Sequence, residues 1–158
     1  MSQRKPQAGV GLIEVMVAVA ILAFGMLGIA ALQATALRNS QSSLERSEAV
    51  MKTYAILDAM RANRDVAMIG GYDMGNIAGD TITSWSCGLP DPGTLAANDI
   101  RQWMGTTAQP GSLKATLGGS ACAAVSCTDE SCKIALRWDD SRSAGGDSTQ
   151  ELMTETRL

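Results

Sequence analysis

The 158-residue chain contains no histidine. That removes the commonest general base and the commonest imidazole metal ligand together. Its serines therefore have no histidine partner, and no glycine-rich loop precedes a lysine and a hydroxyl. Neither a serine triad nor a phosphate-cradling loop can be built, so the expectation is no enzyme and no cofactor. The net charge is only −3, without the basic footprint of a nucleic-acid-binding protein. Arg38, Arg46, Lys52 and Arg61 are interleaved with Glu45, Glu48 and Asp58, the pattern of a solvated helix face. Proline is absent between Pro6 and Pro90, and cysteine is absent before Cys87. The length suits one domain with a modest core.

What is present is concentrated at the N-terminus. Residues 1–9, "MSQRKPQAG", are polar and basic, with Arg4 and Lys5 ahead of an apolar run. Such charges stay on the cytoplasmic side and direct the downstream chain outward. From Val15 to Leu32 there is no charge at all. As a helix this stretch would be roughly 27 Å long, close to the thickness of a bilayer core. A plain transmembrane anchor fits that length. A secretory signal peptide would use "ATA" at residues 34–36 as its cleavage site, although its apolar core is usually about 7–15 residues.

Glu14 fits neither reading. An ionisable group at the threshold of a membrane segment is costly and is usually functional. If the chain is cut between Gly9 and Val10, a free amine appears four residues before Glu14. The amine is cationic near neutral pH, and Glu14 supplies an anion for it, within one helix or on a neighbouring subunit. A nearly dry pairing between subunits would be stronger than one in water and would fix helix register.

The run "GVGLIEVMVAVAILAFGMLGIAAL" resembles the class III signal of type IV pilins and type II secretion pseudopilins. That pattern is a basic leader, a glycine, a hydrophobic residue, three more residues, then glutamate and an apolar helix. The resemblance implies that a prepilin peptidase cuts between Gly9 and Val10 and methylates the new N-terminus at Val10. It implies also that Glu14 serves filament assembly.

Beyond the apolar run, Leu37, Leu44 and Met51 recur every seven residues and Ala55 extends that face. Glu48 and Lys52 have the spacing of a favourable i,i+4 pair. "YAILDAM", residues 54–60, offers a broader apolar face for a sheet. Gly70 and Gly71 end the pattern. One helix over 10–69 is expected, with 10–36 as membrane and filament stem and 37–69 as an amphipathic half. The stem has Gly25 and Gly28 in place of a helix-loosening proline, which leans towards a minor subunit of the family it resembles.

Residues 70–158 read as a small exported head. Residues 70–93 are rich in Gly, Pro, Asp and Ser and read as a loop. A short helix is expected at about 95–105, capped by Thr94 or Asn98, with Ile100, Trp103 and Met104 on one face. Strands are expected at about 112–118, 132–139 and 149–158 from alternation at Leu113/Ala115/Leu117, Ile134/Leu136/Trp138 and Leu152/Thr154/Thr156/Leu158. "NDIRQWMGTTAQPGS" followed by "IALRWDD" is similar to minor pilins of the PilV type; Trp103 and Trp138 are read as core residues.

Cys87, Cys122, Cys127 and Cys132 all fall in this exported half. Without histidine, and with four residues between successive cysteines of "CAAVSCTDESC", disulfides are preferred to a metal site. Three pairings are possible. Cys87–Cys122 with Cys127–Cys132 is favoured, and the sequence leaves the others open. Asp139, Asp140 and Asp147 lack the spacing of an EF-hand and read as a solvated hairpin loop.

The expected fold is α+β, a pilin-like lollipop with a long N-terminal helix packed on a small antiparallel sheet. The expected function is that of a minor pilin, in pilus assembly or priming and hence in twitching motility, adhesion or DNA uptake. Other minor and major pilins, the prepilin peptidase and the assembly platform are its implied partners. The protein would sit in the inner membrane with a periplasmic head, then in the pilus outside the cell. A type II secretion pseudopilin and a pilus-tip adhesin are the alternatives.

Overall fold

A computed structural model of the chain describes residues 9, 11–128, 131–143 and 145–158. The fold is α+β. The element order is α1 (Leu12–Ala62), α2 (Arg64–Met68), β1 (Asn76–Ala78), β2 (Thr81–Ser84), α3 (Leu95–Met104), α4 (Leu113–Leu117), β3 (Cys122–Thr128), β4 (Ser131–Trp138) and β5 (Gln150–Arg157). The chain divides into two compact units, Met1–Leu37 and Arg38–Leu158.

In the first unit every described side chain is exposed. The helix runs without interruption through Gly25 and Gly28. Thr35 satisfies its hydroxyl on the carbonyl of Ala31 at 3.1 Å, so this polar side chain needs no outside partner.

In the second unit, α1 buries Ala49, Thr53, Ile56, Leu57 and Met60. At about 100° per residue these share one side of the helix. The seven-residue repeat of Leu44 and Met51 points about 180° away from it. Leu44 is 63% and Met51 53% exposed. The core is filled instead from the broader face of "YAILDAM", through Ile56, Leu57 and Met60, with Thr53 and Ala49 continuing it one and two turns earlier. The i,i+4 ion pair does not form either; Lys52 instead donates to the carbonyl of Gly111 at 2.7 Å. The helix stops at Ala62, short of the expected residue 69, and the five-residue α2 follows. Gly70, at φ 80°, ends that turn.

Two small sheets complete the unit. β3, β4 and β5 form an antiparallel sheet in that order. β4 is central and alternates: Cys132, Ile134, Leu136 and Trp138 are buried while Lys133 and Arg137 are half-exposed. β1 and β2 form a hairpin inside the stretch expected to be a loop. Ala78 and Thr81 pair directly, so Gly79–Asp80 is a two-residue turn, and Gly79 has the positive φ of 62° that such turns favour.

The strand expected at 112–118 is α4. Leu113 and Leu117 are both buried, and their spacing fits a helix turn as well as alternation does. Ser112 decides between them by accepting a hydrogen bond from Ala115 N at 3.2 Å, the N-cap geometry. α3 is capped in the same way, with Thr94 Oγ1 accepting from Ala97 N at 3.1 Å. Ile100, Trp103 and Met104 of α3 are buried. The core joins Ile56, Leu57 and Met60 to Tyr72, Ile134, Leu136 and Trp138.

Candidate functional site

The four cysteines pair as Cys87–Cys122 and Cys127–Cys132. The first bond ties the segment before α3 to the start of β3, where Ser86 and Ala123 exchange backbone hydrogen bonds at 2.9 Å. The second joins directly opposed residues of the β3–β4 hairpin. Cys127 Sγ lies 4.0 Å from Met60 Sδ, so the hairpin disulfide rests against α1.

A groove of about 270 Å³ lies between α1 and α3, lined by Lys52, Ile56, Asp99, Gln102, Trp103 and Gly111. Its polar groups are largely engaged within the protein. Trp103 Nε1 donates to the carbonyl of Lys52 at 2.8 Å, and Tyr72 donates its phenolic proton to Asp99 at 2.5 Å. Burial, together with that carboxylate, holds the Tyr72 phenol above its usual range. The groove is thus braced by internal bonds.

The loop between β4 and β5 is less solvated than its composition suggests. Asp140 is only 5% exposed and accepts a hydrogen bond from Ser42 at 2.6 Å. Arg142 pairs with Glu45 at 3.1 Å. Burial, the largest cause, pushes the Glu45 carboxyl above the ordinary glutamate range; Arg142 opposes this, and Asp140 and Asp139 add to it. Asp139 is held below the usual range by hydrogen bonds from Ser141. Sequence reasoning missed Ser42, Glu45 and Arg142, because a hydroxyl and two charges on a polar helix and a polar loop carry no periodic signal. Among the described residues no three His, Cys, Asp or Glu side chains gather as metal ligands.

Of the residues singled out at the N-terminus, Val10 and the leader 1–8 lie outside the described residues. Gly9 is exposed. Glu14 is in the first turn of α1, with its N–H bonded to Gly11 O at 3.0 Å. Its side chain is exposed and makes no ion pair among the described residues. An acid in the first turn is favoured by the helix dipole by about 0.3–1 kcal/mol. That is smaller than the roughly 2.5–3.5 kcal/mol cost of a charge at mid-membrane, though a position at the helix end is cheaper. The local dipole alone is a thin reason for a carboxylate here. From Glu14 to Gln41 every residue of the helix is exposed. By length and composition α1 can cross a membrane.

Residues 4–30 carry the Prokaryotic N-terminal methylation motif. The motif covers the basic leader, Gly9, Glu14 and most of the uncharged run, and supports a place among type IV pilins and pseudopilins, a group of structural subunits. Together with the exposed apolar helix it supports membrane association and assembly with other pilins. No curated protein and no solved structure matched the chain.

Proposed function

We propose that the protein is a minor pilin of a type IV pilus, of the PilV type, made as a membrane-anchored precursor with a periplasmic head. One observation carries this reading: the methylation motif coincides with the N-terminal part of a long helix, where the apolar residues from Leu12 to Leu37 are all exposed. The large apolar side chains exposed from Leu12 to Leu37 need lipid, or the stems of neighbouring subunits, around them. Prepilin peptidase cuts between Gly9 and Val10 and methylates Val10. Glu14 then pairs with the N-terminal amine of a neighbouring subunit, and that pairing sets helix register during assembly. The disulfide-tied head is carried on the filament, where it acts in assembly or priming and through them in motility, adhesion or DNA uptake.

Mass spectrometry of the protein extracted from native membranes tests the first step. A mature chain beginning at Val10, with one added methyl, is expected. A chain beginning at Leu37 would instead mark release by ordinary signal peptidase. For assembly, Glu14→Ala should be lost from sheared filaments while its membrane level is unchanged; normal recovery in filaments would sink the pairing.

A further inference from the structure

The three-stranded sheet has two edges, and they are treated differently. On the β3 edge the outward backbone groups of Ala123 and Val125 and the N–H of Cys127 are engaged. Ala123 exchanges two hydrogen bonds with Ser86, Val125 exchanges two with Met74, and Cys127 N donates to Asp73 Oδ1 at 2.9 Å. These contacts also fix the alternation of the whole sheet. If 123, 125 and 127 point outward, then 122, 124 and 126 face β4, and the register passes the alternation on to β5. Gln150, Leu152, Thr154 and Thr156 therefore bond to β4. Glu151, Met153, Glu155 and Arg157 turn their N–H and C=O groups away from it.

No strand pairs with β5 on that second side among the described residues. Of the devices that usually close an edge, β5 carries charged side chains, Glu151, Glu155 and Arg157. It has no proline or glycine and holds unbroken register with β4 over eight residues, with no bulge. An edge of this length and regularity is a template for another strand.

The side chains say what that strand carries. On the outer face, two rungs of alternating charge run across the sheet and stop on a carboxylate at the edge. In one rung Lys133 pairs with Asp80 at 2.7 Å and with Glu155 at 3.7 Å. In the other, Arg137 opposes Glu151 in register but lies over the Trp85 ring at 4.9 Å. Glu151 is left with no ion pair among the described residues. Between the rungs Met153 is 40% exposed. A strand that continues the pattern has a cation opposite Glu151, a small or apolar residue opposite Met153 and a cation opposite Glu155. β4 meets β5 from the other side with this same pattern, Lys133, Ala135 and Arg137.

We propose that the open edge of β5 is a docking site for an extended segment of a partner protein, added as a fourth strand. The segment has Lys or Arg at positions i and i+4 and an apolar residue at i+2 on one face. A second copy of β5 is the poorer occupant, because no symmetric antiparallel register gives both carboxylates a cation. Centred on Met153 it sets Glu151 of each copy against Glu155 of the other, which is repulsive; centred on Thr154 it sets Arg157 against Glu151 but leaves Glu155 against Met153.

The test uses the full chain in detergent micelles and hydrogen exchange resolved by residue. The probe is a synthetic peptide with the sequence of residues 131–138, serine replacing Cys132. Without peptide, the amides of Glu151, Met153, Glu155 and Arg157 should exchange fast while those of Leu152, Thr154 and Thr156 are protected. Peptide should slow the first set. Charge reversal with Glu151→Lys and Glu155→Lys should weaken the peptide about tenfold. Met153→Pro should abolish binding yet keep the other three amides protected, because its N–H lies on the open side. Three results would overturn the proposal. One is no protection by the peptide, and another is equal binding after charge reversal. The third is protection that appears with protein concentration alone, which would make a second copy the occupant. None of these bears on whether the chain is processed as a pilin.

Discussion

Ser42 and Asp140 lie 98 residues apart in the chain and share a hydrogen bond of 2.6 Å. The bond holds the β4–β5 loop against α1; burial first, and then the nearby Asp140 and Asp139 against the opposing Arg142, raise the cost of ionising Glu45. A glutamate whose folded pKa lies above its unfolded one binds more protons when folded. Its contribution to stability therefore falls as pH rises from the unfolded value through the folded one. Glu45→Gln should remove that loss. In thermal melts followed by tryptophan fluorescence in detergent, the variant should match the wild type at low pH and exceed its Tm at pH 8. The difference between the two proteins isolates Glu45 from Asp139, whose lowered pKa acts with the opposite sign. A variant less stable than the wild type at pH 8 would mean that the Arg142 pair outweighs the burial.

The two disulfides should differ in worth. Cys87–Cys122 closes a separation of 35 residues and Cys127–Cys132 one of 5. Loop-closure entropy alone assigns about 3–4 kcal/mol to the first and about 2 kcal/mol to the second. Replacing each pair by alanine and comparing urea midpoints checks the order. Equal losses would show that the cavity left beside Met60 at the hairpin bond matters as much as chain entropy.

Legibility in the sequence followed the strength of local chemistry. β4 was readable because Lys133 and Arg137 interrupt a line of apolar residues at period two, and α3 because Thr94 offers a cap ahead of an apolar stripe of Ile100, Trp103 and Met104. β3 was not, since "CAAVSCT" is buried on both faces and has no alternation to display. α4 misled because five residues with leucines at both ends satisfy either period. The β1–β2 hairpin was hidden by its glycines, although Gly79–Asp80 between two isoleucine-containing triplets is itself a hairpin signal. The latch of Ser42, Glu45, Asp140 and Arg142 depends wholly on which helix face meets which loop. That is a tertiary fact with no local trace. The apolar N-terminal part of α1 was legible for the opposite reason: its signal is composition and order along the chain, and needs no tertiary partner.

Gly75 should be the most sensitive glycine of the β1–β2 region. It has φ +64°, and a Cβ there would meet Ser84 O at 2.6 Å and Ala124 Cβ at 3.0 Å. Gly79, at φ +62°, faces open space. Both alanine variants incur the left-handed backbone cost of about 1 kcal/mol. Gly75→Ala adds a backbone clash and should lose about 2–4 kcal/mol in all. Denaturant titration of the two variants separates them; equal losses would mean that the hairpin shifts freely on β3.

The two apolar faces of α1 make a last, sharper contrast. Ile56 is 1% exposed and belongs to the core, whereas Met51 is about half exposed on the opposite side. Truncating a buried isoleucine to alanine costs about 2–5 kcal/mol, through lost transfer energy and the cavity left behind. Truncating an exposed methionine on a helix should change stability by no more than about 0.5 kcal/mol. Ile56→Ala should thus lower the urea midpoint strongly and Met51→Ala should not. If the protein packs into filaments, the order reverses in another assay. Met51→Ala and Leu44→Ala should then reduce recovery in sheared pili while the head stays fully folded, because that face is left exposed among the described residues. Full incorporation of the double variant would show that this face stays in solvent in the filament as well.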